Sequence, residues 1–122
     1  MDTSPLTGAT GALIRMALDG VSMRQLVTAN NIANAGTPEY APLRLDFEEQ
    51  LAGAMRETAA GRRPDAARLV PTVTADTTPG AKVQIDIEAA QMAQDVLHYQ
   101  ALLRALREQM DVLQTAINDG RK

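Results

Sequence analysis

Few residues in this chain can do acid–base or metal chemistry. It has one histidine, His98, and no cysteine, which removes thiolate zinc sites, cysteine nucleophiles and disulfides together and leaves no cluster of imidazole ligands. The carboxylates Asp86, Glu88, Asp95 and Asp111 never form a pair four residues apart beside that histidine, so their spacing does not converge a general acid and a general base on one helix face. His98 reads as a partly solvated helix residue, and Asp46, Glu48 and Glu49 as acids at the positive end of a helix. No catalytic residue, metal ligand, cofactor or small-molecule substrate is assigned, and the chain is expected not to be an enzyme.

Amides offer a different chemistry. In Ala29-Asn30-Asn31-Ile32-Ala33-Asn34-Ala35-Gly36-Thr37-Pro38-Glu39-Tyr40, three asparagines fall in the last turns of a helix, where each costs roughly half a kcal/mol relative to alanine. Asn30 and Asn34 lie one turn apart and can both donate and accept, so they can bond exposed backbone of a neighbouring chain, with the alanines permitting close approach. Asparagines also favour a fraying helix end. Spacing leaves both readings open.

The elements that position these residues follow from periodicity. Ile14, Leu18, Val21 and Ile32, with a second row at Met16, Met23 and Leu26, predict a helix over 10–35, with Ser4-Pro5 and Thr10 as rival start signals. Gly36 is placed for a left-handed stop and Pro38 cannot continue the helix. A turn and short helix are expected over 36–57, where Asp46 and Glu49 have capping-box spacing and Phe47, Leu51 and Ala54 share a face. Residues 58–82 carry Pro64, Pro71, Pro79, Gly61 and Gly80 and read as a flexible, largely irregular loop, since Pro71 weakens any strand over Leu69 to Thr74. Arg62, Arg63 and Arg68 suggest either a docking patch or, more ordinarily, a solvated loop.

The last segment has the clearest pattern. Ile85, Ala89, Met92, Val96, Tyr99, Leu103, Leu106, Met110, Leu113 and Ile117 recur at spacings of four and three, a heptad seam on a helix over 86–118 with Asp86 as its N-cap. Eight of these, Met92, Val96, Tyr99, Leu103, Leu106, Met110, Leu113 and Ile117, are large enough for burial to contribute on the order of 10–20 kcal/mol as an upper bound. An N-terminal helix of roughly 20 residues spans about 30 Å and would leave about 20 Å of that seam uncovered. The architecture expected is all-α: long N- and C-terminal helices paired as an antiparallel coiled-coil-like unit, joined by the short helix and the Pro-rich loop. Either other chains cover the remaining seam or a three-helix bundle closes on itself, and heptads alone do not decide. If other chains cover it, the isolated chain is expected to be weakly helical when dilute and to order its ends on assembly.

Composition narrows the partners. Net charge is −3 with one Phe, two Tyr and no Trp among 122 residues, so neither a thick aromatic core nor a broad positive field for nucleic acid or anionic membrane is available. The N-terminal residues lack the basic and apolar regions of a cleavable secretory signal.

The run Ala29 to Tyr40 resembles the N-terminal signature of bacterial flagellar rod and hook proteins, with Glu39 where that family usually has glycine. Leu45-Asp46-Phe47, Val83-Gln84-Ile85-Asp86, Met92-Ala93, Tyr99-Gln100-Ala101 and Leu113-Gln114-Thr115-Ala116-Ile117 are similar to the pattern of its proximal-rod members. Other axial members such as FlgC-like proteins generally end on a Tyr-x-Ala-Asn pattern, and here the corresponding residues are Tyr99-Gln100-Ala101-Leu102. The resemblance covers both terminal thirds and implies a single rod-subunit domain over 1–122, an assembly motif of Asn30, Asn31, Ile32, Asn34, Gly36, Thr37, Pro38 and Tyr40, and stacking of copies into the basal-body rod. It further implies export through the flagellar type III apparatus without a cleaved signal, a place in the periplasmic rod, and contacts with other rod proteins (FlgC-like), the adaptor FliE, the membrane ring and the export gate. A FlgC-like axial protein is the near alternative. A cytoplasmic coiled-coil adaptor fits the heptads but not the Ala29 to Tyr40 run.

Overall fold

Leu43 to Asp46 alternates apolar and polar residues over four positions, enough for one short strand. The computed structural model, which describes residues 4–64 and 70–121, turns that alternation into β1 (Leu43–Asp46), with Leu45 buried and Arg44 and Asp46 exposed. Around it, in chain order, stand α1 (Ser4–Ala33), α2 (Glu48–Ala59), β2 (Thr72–Ala75) and α3 (Ile85–Asp119). The chain is mostly helical, and its two long helices are those expected at the two ends.

Two features depart from an all-α chain with an irregular 58–82 segment. β2 lies inside that segment and pairs antiparallel with β1, Leu43 opposite Ala75 and Asp46 opposite Thr72. Pro71 does not prevent this because it precedes the first paired residue. Leu69 and Arg68, in the expected weak strand and the basic patch, lie outside the described residues.

α1 also starts earlier than the expected 10–35, with helix from Ser4 to Ala33. Thr10 therefore lies inside the helix and does not start it. At 30 residues α1 is about 45 Å long beside an α3 of 35 residues and about 52 Å. The expected shortfall of α1 against the seam is thus largely removed.

Three cap assignments change. Asp46 does not cap α2: it ends β1, and the flanking residue is Phe47, with no side-chain cap bond. Asp86 sits within the first turn of α3, after the flanking residue Gln84, where its charge still favours the helix dipole. Gly36 is not left-handed; among the described residues the non-glycine with positive φ is Glu39, at 62°.

The core is small and lies toward one end of the α1–α3 pair. Val21, Val27, Leu45 and Phe47 are buried together, with Leu43, Leu51, Tyr99 and Leu102 packed against them. Phe47 lies so close to α1 that a Cβ on Gly20 would stand 2.6 Å from its ring, so glycine is what lets the ring reach the helix backbone.

Candidate functional site

The asparagine run is built into the fold. Asn31 is 1% exposed and uses both faces of its amide. Its Nδ2 donates to the Leu43 carbonyl at 2.9 Å and to Glu88 Oε2 at 3.4 Å, and its Oδ1 accepts from Leu43 N at 2.8 Å and from Tyr40 Oη at 2.8 Å. The ribbon explains why Leu43 is free to do this. Asp76 N donates to the Pro42 carbonyl at 2.8 Å, so alternation along the antiparallel pair turns the N–H and C=O of Leu43 away from β2. The Asn31 side chain therefore stands where a further strand would pair.

Its neighbours tie the turn. Asn30 Nδ2 donates to Tyr40 Oη at 3.1 Å, Asn34 Nδ2 to the Asn30 carbonyl at 2.9 Å, and Thr37 Oγ1 to Asn34 Oδ1 at 3.2 Å. Ile32 is half-buried, while Gly36 and Pro38 are exposed. These intrachain bonds, each stabilising by about 0.5–1.5 kcal/mol net, offset the helix-propensity cost of the asparagines. Asn30 is exposed and Asn34 half-buried, and both amides also bond within the turn.

A second polar node was not foreseen. Arg24, one turn beyond Gly20, lies 5.0 Å from the centre of the Phe47 ring and donates from Nε to Asp95 Oδ1 at 3.0 Å. It also pairs with Glu48 at the start of α2. Gln91 Nε2 donates to the same Asp95 oxygen at 3.0 Å, and Asp95 is fully buried. By type and spacing alone Glu88 and Asp95 offer no more than isolated acids on α3. Their spacing of seven residues, matched by Arg24 and Asn31, was the available signal. At Glu48, burial raises the carboxyl pKa but is outweighed by the Glu48 and Phe47 backbone N–H groups and by Arg24, leaving it below the usual range.

His98 is exposed and borders an open cleft of about 570 Å³ with Arg24, Glu48, Gln91, Gln94 and Leu97. Among the described residues no group of three or more His, Cys, Asp or Glu side chains is placed to hold a metal ion, and no helix is long and apolar enough to cross a membrane. Of the expected basic patch, Arg62 is held by Glu57 through bonds of 2.8 and 3.0 Å, and Arg63 is exposed.

The expected seam divides. Met92, Tyr99, Leu103 and Leu106 are half-buried, whereas Val96 (42%), Met110 (57%), Leu113 (40%) and Ile117 (50%) remain exposed. Around Met110 and Leu113 the cause lies in what α1 presents. Opposite Leu106, Gln109, Met110 and Leu113 stand Gly8, Gly11 and Arg15, leaving a groove of about 330 Å³. A Cβ on Gly11 would meet nothing within 4 Å.

No family model matches the chain. It is similar to the flagellar basal body rod protein FlgB of Cereibacter sphaeroides, 30% identical in one strain and 33% in another over 105 residues, covering 77% of this chain and 82% of each relative. It is also similar to the flagellar basal body rod protein FlgB of Bacillus subtilis strain 168, 27% identical over 116 residues, covering 86% of this chain and 90% of that protein.

Proposed function

The chain belongs to the family of flagellar basal body rod proteins named FlgB, and from that premise we propose that it is a structural subunit polymerising at the proximal rod, between the membrane ring with its export apparatus and the rest of the drive shaft. The observation that carries this reading is the exposed continuation of the α3 seam at Met110, Leu113 and Ile117, on the helix side that half-buries Leu106 nearer the core. Apolar area left open at one end of an ordered helix pair is area for neighbouring subunits to cover. In the rod, α1 and α3 form a coiled-coil-like unit, the chain acts as one domain, and its exposed apolar end docks against other copies, FlgC-like rod proteins and the adaptor FliE. Export proceeds without a cleaved signal to a periplasmic position in the basal body. The role is structural rather than enzymatic.

Leu113→Asp tests the reading, because the site is exposed and the change should leave the core intact. In a strain lacking its own copy, this variant should accumulate with normal helicity yet fail to restore rods or swimming, since a buried unpaired charge would oppose docking. Full motility would overturn the seam as an assembly surface.

A further inference from the structure

The apolar rows of α3, Met92–Tyr99–Leu106–Leu113 and Val96–Leu103–Met110–Ile117, each repeat every seven residues. Such a pattern looks nearly the same to a partner helix after a slide of one heptad, about 10 Å. The connection does not forbid that slide: the nine residues 76 to 84 between β2 and α3 can extend to about 30 Å. Neither apolar period nor loop length selects the observed register.

Two polar pairs do distinguish it. Arg24 meets Asp95 and Asn31 meets Glu88, so seven residues along α1 (24 to 31) correspond to seven back along α3 (95 to 88). Asn31, Glu88 and Asp95 are all buried. Continuing the same antiparallel register sets Ala17 against Leu102 and Thr10 against Gln109, in agreement with the residues that line the groove. Sliding α3 one heptad in one direction would bring Leu102 to Arg24, and Asp95 would face only Asn31. In the other direction Glu88 would meet Arg24 and Asp95 would face Ala17. Either slide strands a charge in the interface without its counter-charge.

We propose that the Arg24–Asp95 and Asn31–Glu88 pairs form a register lock, selecting which heptad of α3 lies against α1 rather than adding stability over apolar residues of similar size. The lock acts within one chain and is independent of the rod reading.

The absence of cysteine makes disulfide reporters specific. In the full chain, Thr10→Cys with Gln109→Cys reads the observed register, while Thr10→Cys with Ala116→Cys or with Leu102→Cys reads the two slides. With the lock intact, only the first combination should form an intramolecular bridge. Adding Arg24→Met, Asp95→Leu and Glu88→Leu should keep the helical signal and an equal or higher urea midpoint, while bridging through the slid reporters rises about tenfold or more. Bridging still confined to positions 10 and 109 would overturn the proposal. Should that variant lose its helical signal, Arg24→Gln with Asp95→Asn and Glu88→Gln keeps volume and hydrogen bonding without charge. Appearance of the slid bridges then supports the lock, and the native bridge alone overturns it.

Discussion

The two ends of the α1–α3 pair are built on opposite principles. Toward the Asn31 end, side chains tie the elements together beside the His98 cleft: Phe47 on Gly20, Arg24 between Asp95 and Glu48, and Asn31 against Leu43. Toward the Gly8 end, α1 offers no side chain at two positions facing α3, and the apolar side of α3 stays open. One end holds the chain together, and the other keeps surface for something else. The largest effect that can break this contrast is removal of Arg24. Arg24→Ala should destabilise the chain by about 3–5 kcal/mol, because Asp95 is left buried without its counter-charge, whereas Arg15→Ala beside the open groove should stay within about 0.5 kcal/mol. Urea unfolding of both variants, read by circular dichroism, checks this. Similar losses would show that the two ends are not energetically distinct.

Two glycines give a closer comparison. A methyl group on Gly20 would stand 2.6 Å from the Phe47 ring, and one on Gly11 would meet nothing within 4 Å. Gly20→Ala should therefore cost about 1–3 kcal/mol through overpacking, while Gly11→Ala should stabilise the helix by about 0.5–1 kcal/mol. Opposite signs at two positions of one helix are the expected result in thermal or urea melts. Gly11→Ala carries a further consequence under the assembly reading: a more stable subunit with a partly filled groove should assemble less well.

What could be read without the structure follows the range of the interactions concerned. The heptads of α3 and the halt of α1 near Pro38 depend on residues close in the chain, and both were legible. The ribbon was not, because β1 is four residues long and finds its partner beyond α2, at a strand preceded by Pro71. The Asn30 to Tyr40 run was legible as unusual, but the intrachain role of Asn31 was not: that it acts as a substitute strand follows only once Leu43 is seen to turn its backbone toward α1. Arg24 and Asp95 are 71 residues apart. Their pairing requires the register of two helices, which an apolar pattern of period seven leaves open.

Glu39 sharpens the comparison at the tied end. It adopts φ 62° in the turn after Pro38, a conformation that costs a side-chain-bearing residue about 1 kcal/mol and glycine almost nothing. Glu39→Gly should raise stability by about 0.5–1 kcal/mol, with the gain reduced by the greater freedom of glycine in the unfolded chain. A higher urea midpoint with an unchanged m-value would show that this turn carries the strain. A loss of stability would mean that the Glu39 side chain contributes more to the turn than its backbone costs.

The smallest expected effect concerns the rim of the tied end. Glu48 has a lowered pKa because its own and the Phe47 backbone N–H groups, together with Arg24, outweigh the burial that would raise it. A carboxylate whose folded pKa is depressed stabilises the fold above its unfolded pKa and loses that contribution as pH falls through the folded value. Its side chain is 62% exposed, so solvent screening limits the contribution to about 0.5 kcal/mol. Glu48→Gln should therefore lower the urea midpoint slightly at pH 7, and the difference from the unaltered chain should vanish as the solution is acidified well below pH 4. A difference that persists in acid would assign the role of Glu48 to packing against Arg24 rather than to charge.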